Sequence, residues 1–214
     1  MNWWTILIAF SVIVVVAVIA EPFFTRAENE RRKAVEKRGY SLAESDASVA
    51  RSVGENLPWP GRAFKARNVI SMPHDRGTAV YGTLRYKTGR DNWTHTRFLA
   101  LPPDERLGSL SALTIGPARF NLTKASVRTE WAAFNDSWHV DAADPAQAHA
   151  LLTQEMQEYL METTRTKSSI ERTIVLKNGV LTVFSSEDYS IDHAERLLGF
   201  IVNFEEKIPR FLRG

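Results

Sequence analysis

Residues 170–184 read IERTIVLKNGVLTVF, and the fold turns on this stretch. Two runs rich in β-branched and large apolar residues, 170–177 and 180–184, flank the dipeptide Asn178-Gly179. Asn-Gly suits a type I′ turn, whose two central residues both need positive φ, so the stretch predicts a tight β-hairpin. A second hairpin reads upstream, where residues 78–87 and 93–101 flank Thr88-Gly89-Arg90-Asp91. In its first arm Val80, Gly82, Leu84 and Tyr86 alternate irregularly with their neighbours, which leaves the register open. Pro102-Pro103 ends the second arm, because neither proline can donate to a ladder. Residues 64–70 read as a further strand, 113–115 and 125–129 as weaker ones, and Trp138-His139-Val140 as a short one.

Helices come after the hairpins instead of alternating with single strands. Asp144-Pro145 opens one helix, with Asp as N-cap and Pro at the first position. Ala148, Leu151, Leu152, Met156, Tyr159 and Leu160 form its apolar stripe. A long helix is expected over residues 190–207, with Ile191, Ala194, Leu197, Leu198, Ile201, Val202 and Ile208 on one face and Pro209 as its stop. No βαβ rhythm is present. The expected fold class is therefore α+β, an antiparallel sheet packed on one face by two or three helices, preceded by an N-terminal transmembrane helix.

That N-terminal segment, residues 3–20, reads WWTILIAFSVIVVVAVIA and carries no charge. Its eighteen residues would span roughly 27 Å as a helix, against about 30 Å of hydrocarbon. Trp3, Trp4, Ile6, Leu7, Ile8, Phe10, Val12, Ile13, Val14, Val15, Val16, Val18 and Ile19 are the expected membrane anchor. Trp3 and Trp4 at one end, and Phe23 and Phe24 past the other, suit the two interfaces, and Glu21-Pro22 marks the exit. A signal peptide cut after Ala20 is the competing reading. It wants a basic segment before its apolar core, and none is present, so a retained anchor is favoured. No Lys or Arg precedes the run and six follow it between Arg26 and Arg38. The positive-inside rule then puts the N-terminus outside and the domain in the cytoplasm, with an exported domain as the alternative.

Residues 25–37 read as a short charged helix with Gly39 as its stop. Arg26, Arg31, Arg32, Lys33, Lys37 and Arg38 are candidates for contact with lipid headgroups, although a solvated stalk explains the same charges without any particular lipid. Ser41 and Glu44 offer a capping box for a weakly apolar helix to about Val53, ended by Gly54. The expected divisions are residues 1–24 for the anchor, 25–55 for a helical stalk, 56–209 for the α+β domain and 210–214 for a tail.

Charge and composition exclude several chemistries. The chain of 214 residues has no cysteine, which rules out disulfides, thiolate metal sites and cysteine nucleophiles. Its net charge is +2, and the segment from Arg26 to Arg38 alone has six Lys/Arg against three Glu. The remainder is close to neutral, which argues against a nucleic-acid binder, since that would need a basic face. The histidines are His74, His95, His139, His149 and His193. His74-Asp75 has the look of a metal-phosphohydrolase pair but sits beside Pro73 and Gly77 in an expected turn. His139 and Asp141 share a strand face and with His149 form a conceivable metal set, while capping and core packing account for them more simply. No nucleophile elbow, phosphate loop, dinucleotide fingerprint or HExxH helix occurs, and no cofactor is expected. Trp93, Trp131 and Trp138 are expected in the core, with ligand stacking as the alternative.

The stretch 127–160, VRTEWAAFNDSWHVDAADPAQAHALLTQEMQEYL, with LKNGVLTVF after a gap, resembles a family of bacterial, chiefly actinobacterial, membrane proteins. Phe134, Trp138-His139-Val140, Asp144, the segment 148–152 with Thr153, Met156, Leu160 and the Asn178-Gly179 hairpin carry the resemblance, over about a third of the chain. That family places one or two hydrophobic helices before an α+β domain of unknown function. The resemblance implies architecture and membrane association, and it carries over no catalytic residue.

Three functional readings follow. The first is a membrane-tethered, non-catalytic interaction or scaffold domain, an accessory subunit whose partners are the lipid bilayer and other membrane proteins, and not nucleic acid. The second is a sensor for a small ligand or lipid headgroup, which needs a concave pocket with converging polar groups. The third is an enzyme using Glu130, Asp136 and Asp141 as acid and base, which needs at least two of them together in a cleft.

Overall fold

The Asn178-Gly179 turn forms as its sequence demands, with φ of 52° and 73°. It joins β7 (Arg172–Lys177) to β8 (Val180–Ser185) in an antiparallel pair. This computed structural model describes residues 28–118, 127–164 and 172–214. The chain divides into two compact units, Met1–Leu42 and Ala43–Gly214. In the first, residues 28–37 form a helix, α1. The expected anchor lies outside the described residues, and among the described residues no helix is long and apolar enough to cross a membrane.

The β7–β8 hairpin is the seam of an eight-stranded sheet. Its order is β1-β2-β3-β4-β8-β7-β5-β6, with β1 Ser41–Asp46, β2 Arg62–His74, β3 Gly77–Lys87, β4 Trp93–Ala100, β5 Leu113–Pro117 and β6 Trp138–Ala142. The pairs from β2 through to β6 are all antiparallel. The expected β3–β4 hairpin is present. Of the weak strand at 125–129, the described part is a single bridge from Val127 to Val140.

Both sheet faces are covered, which corrects the expectation of helices on one face. Neighbouring residues of a strand point to opposite faces. Leu84, Tyr86, Phe98, Ala100, Val175 and Phe184 share one face with Ala50 and Val53 of α2 (Ala47–Glu55). Tyr81, one residue out of phase, meets His193 of α6 (Ile191–Glu206) edge-on at 5.9 Å between ring centroids. On that second face α4 (Pro145–Leu151) and α5 (Gln154–Thr164) accompany α6. Tyr159 of α5 stacks on Phe200 of α6 at 5.7 Å and donates to the Phe200 carbonyl at 2.7 Å. The buried stripe of α6 is Ala194, Leu197, Phe200, Ile201 and Phe204, so two phenylalanines take positions assigned above to Leu198 and Val202.

Two local readings also change. Ser41 begins a strand and not a capping box; the N-cap is Asp46, whose carboxylate accepts from the Ser48 and Val49 amides at 2.8 and 3.0 Å. α2 belongs to the second unit. The helix read over 144–160 breaks in two at Leu152, where Thr153 Oγ1 accepts from the Met156 amide at 3.2 Å and starts α5. In the tail Arg210–Leu212 form a 3-10 turn, and the Gly214 amide donates to the Arg106 carbonyl at 3.0 Å.

Candidate functional site

A cleft of about 640 Å³ opens where the segment before α3 (Ala132–Ser137) faces the junction of α4 and α5. Asn135 builds one wall. Its Oδ1 accepts from the Thr129 amide at 2.9 Å while its Nδ2 donates to the Thr129 carbonyl at 2.8 Å. That two-way clamp fixes the chain that presents Arg128, Glu130 and Trp131 to the cleft. The indole of Trp131 lies nearly parallel to the ring of fully buried Phe134, at 6.5 Å and 25°. Rested on a core residue in this way, Trp131 is still 38% exposed. The opposite wall follows from the helix break. Gln157 Nε2 donates to the Leu152 carbonyl at 2.8 Å, and Leu152, Gln154, Glu158 and His149 complete the lining.

This cleft mixes one aromatic plate with cations, carboxylates and amides. Such a lining can hold a polar ligand that has one apolar face. It does not assemble the expected acid–base pair. Glu130 lines the cleft, Asp136 is exposed on α3 outside it, and Asp141 is half-buried on β6. Of the three tryptophans expected in the core, only Trp138 is there, at 3% exposure; Trp93 and Trp131 are exposed by 36% and 38%. Arg128, Gln154, Gln157 and Glu158 carried no signal in sequence, because the break at Thr153 that brings them together looks like continuous helix.

The histidines are dispersed. His74 sits at the β2–β3 turn, where its Nδ1 accepts from the Arg76 amide at 3.3 Å. His139 is buried on β6, His149 is exposed in the cleft, and His193 is fully buried at the start of α6. Among the described residues no three His, Asp or Glu stand where they could hold a metal ion. His193 belongs to a polar knot: Glu187 lies 3.0 Å from His193 Nδ1, 3.5 Å from Arg172 and 3.4 Å from Arg196. Burial pushes His193 below its ordinary value, with Glu187 opposing the shift and Arg172, Arg196 and Arg97 adding to it. The knot has the character of a structural tie between β7 and α6. Of the expected headgroup contacts, Arg26 lies outside the described residues; Arg31, Arg32, Lys33 and Lys37 are on α1, and Arg38 follows it.

The fold and cleft define an α+β domain built on one antiparallel eight-stranded sheet, with helices on both faces. No family model and no curated protein matches the chain. Among solved structures, the crystal structure of the mycobacterial trehalose monomycolate transport factor A, TtfA, is similar in fold. The TM-score is 0.53 at 11% identity, covering 84% of this chain and 95% of that one.

Proposed function

We propose that this protein is a membrane-tethered accessory factor, a non-catalytic interaction domain held to the bilayer by residues 3–20 and serving a larger membrane assembly. The observation that carries the reading is the breadth of the fold likeness. It takes in 95% of a protein named as a transport factor, so a whole domain is shared and not one hairpin. The uncharged run WWTILIAFSVIVVVAVIA and the basic segment after it support the tether. Cross-linking the full chain in intact cells, then isolating it in mild detergent, tests the assembly. Specific membrane proteins should be recovered with it and should be lost when residues 3–20 are removed. A lone monomer in every detergent, or full release by alkaline carbonate, would refute the reading.

A second reading, binding of a polar ligand with an apolar face, rests on Trp131 and the cleft. Trp131→Ala should weaken binding of such a ligand at least tenfold by titration calorimetry, because the stacking plate is lost. Equal affinity for wild type and variant would remove the cleft from the binding site.

A further inference from the structure

The sheet face that carries α4, α5 and α6 ends in basic side chains on β2, β3 and β4. Lys65 stands opposite Arg85, Arg85 opposite His95, Lys87 opposite Trp93, and Thr83 opposite both Arg67 and Arg97. Directly opposed residues share a face, so with Arg62, opposite Lys87, seven basic side chains and one tryptophan line a single surface. Lys65, Arg67, Trp93 and His95 are exposed, and Arg85, Lys87 and Arg97 are half-buried. Three of the cations surround the Trp93 indole: Lys65 Nζ at 5.2 Å, Arg85 Cζ at 5.4 Å and Lys87 Nζ at 5.4 Å from its centroid. Among the described residues no carboxylate pairs with Lys65, Arg67, Arg85, Lys87 or Arg97.

The patch is a product of backbone geometry. β2 takes a positive φ at Asn68, and its register slips between Arg67 and Ile70. Before the slip odd-numbered residues, Lys65 and Arg67, occupy this face; after it even-numbered ones do, since Ile70 pairs with Tyr81 and Met72 with Ala79. The bulge therefore puts cations at one end of the face and core residues under α6 at the other. Like charges directly opposed across strands repel, so the arrangement raises the energy of the free domain. It is not a by-product of a basic protein either, because residues 43–214 hold 21 Lys/Arg and 21 Asp/Glu.

We propose that this end of the sheet docks on the anionic headgroup layer of a lipid bilayer, with Trp93 as its interfacial side chain. A sheet presents a broad surface to a surface, and the mixture of Lys, Arg and an exposed tryptophan is the one that interfacial anchoring and anionic lipid attraction both select. The inference rests on the membrane-tethered reading in one respect: a tether keeps the face at high local concentration beside the headgroups.

The test is a lysine footprint of the full chain reconstituted in vesicles of phosphatidylcholine alone or of phosphatidylcholine with phosphatidylglycerol. Acylation of Lys65 and Lys87 should fall several-fold in the anionic vesicles and recover in high salt. Lys177, bonded to the Glu55 carbonyl, and Lys207, paired with Glu155, serve as internal references and should not change. The double variant Lys65→Glu/Arg67→Glu, at two exposed positions, should lose the protection at Lys87 while keeping its circular dichroism and melting curve. Equal footprints in both vesicles, with the chain still resistant to carbonate, overturn the docking and leave the tether standing. A chain that carbonate removes overturns the tether, and docking is then read as co-sedimentation with anionic but not neutral vesicles, its absence counting against the proposal. Protection by polyglutamate or a short RNA but not by anionic vesicles reassigns the face to an acidic macromolecule and sinks the lipid reading.

Discussion

A β-carbon placed on Gly54 would stand 2.4 Å from the Phe64 ring, nearer than real side chains approach. The sequence marks this glycine as a helix stop. Its larger role, letting the last turn of α2 lie against β2, depends on a neighbour ten positions away and has no local signature. Gly54→Ala should cost about 1–3 kcal/mol through overpacking, read as a lower urea midpoint at unchanged slope. His193 is a second residue whose meaning comes from its surroundings: Tyr81 on β3, Arg97 on β4, Arg172 on β7, Glu187 after β8 and Arg196 on its own helix. Its folded form resists a proton that the unfolded chain takes up near 6.5, so its stabilising effect is whole above that value and fades as pH falls. Hydrogen bonds from Arg106 hold Asp104 down at about 2, below its ordinary 3.8, and its contribution is lost in a separate, more acidic step. Urea midpoints should drop between about pH 7.5 and about pH 5.5 in the wild type and drop less in His193→Phe. Parallel profiles would show that another group titrates there.

At the scale of elements, what could be read was what turn chemistry dictates locally. Asn178-Gly179 gave β7 and β8, Asp144-Pro145 gave the start of α4, and Pro209 bounded α6. What could not be read was set by tertiary partners. α2 has only Val49, Ala50, Val53 and nearby Leu57 to bury, too thin a stripe to announce a core helix, and it became one because Trp59, Phe64 and Phe184 close around it. Trp59 is itself fixed there, donating from Nε1 to the Tyr86 hydroxyl and meeting Phe184 edge-on at 5.6 Å. The break at Thr153 was hidden because threonine is tolerated inside helices and only its hydroxyl bond to Met156 marks the restart. The central hairpin offers a direct test. Gly179→Ala should destabilise by about 1–2 kcal/mol from the left-handed backbone alone, and more because its β-carbon would meet the Asp104 carbonyl at 2.6 Å. A melting temperature equal to wild type would show that this turn does not limit stability.

The second unit is bound together by ties between parts remote in sequence. Arg76, at the tip of the β2–β3 hairpin, donates to Asp104 at 2.7 Å and forks onto Glu205 near the end of α6. Arg213 reaches back to the Glu205 carbonyl, and Lys207 pairs with Glu155 of α5 at 2.7 Å. Removing the guanidinium in Arg76→Ala leaves two little-exposed carboxylates side by side, and should cost about 1–3 kcal/mol in chemical denaturation. A loss below about 0.5 kcal/mol would place Arg76 among ordinary surface ion pairs. The α+β class was legible from the order of hairpins and helices. The distribution of charge was not, since a near-zero total conceals a face of one sign and only the register of three strands reveals it. The candidate cleft was legible only as Trp131, one of three tryptophans that composition cannot tell apart.

The bulge at Asn68 also constrains how this strand can diverge among relatives. A strand with even pleating tolerates the loss of two residues, because alternation returns after a pair. β2 carries one extra residue between Arg67 and Ile70, so deleting one residue there would close the bulge and leave both Lys65 with Arg67 and Ile70 with Met72 on their present face, whereas deleting two would turn one of these sets over. Alignments of homologous chains should therefore show substitutions on both sides of position 68, and length changes across it of one residue but not of two.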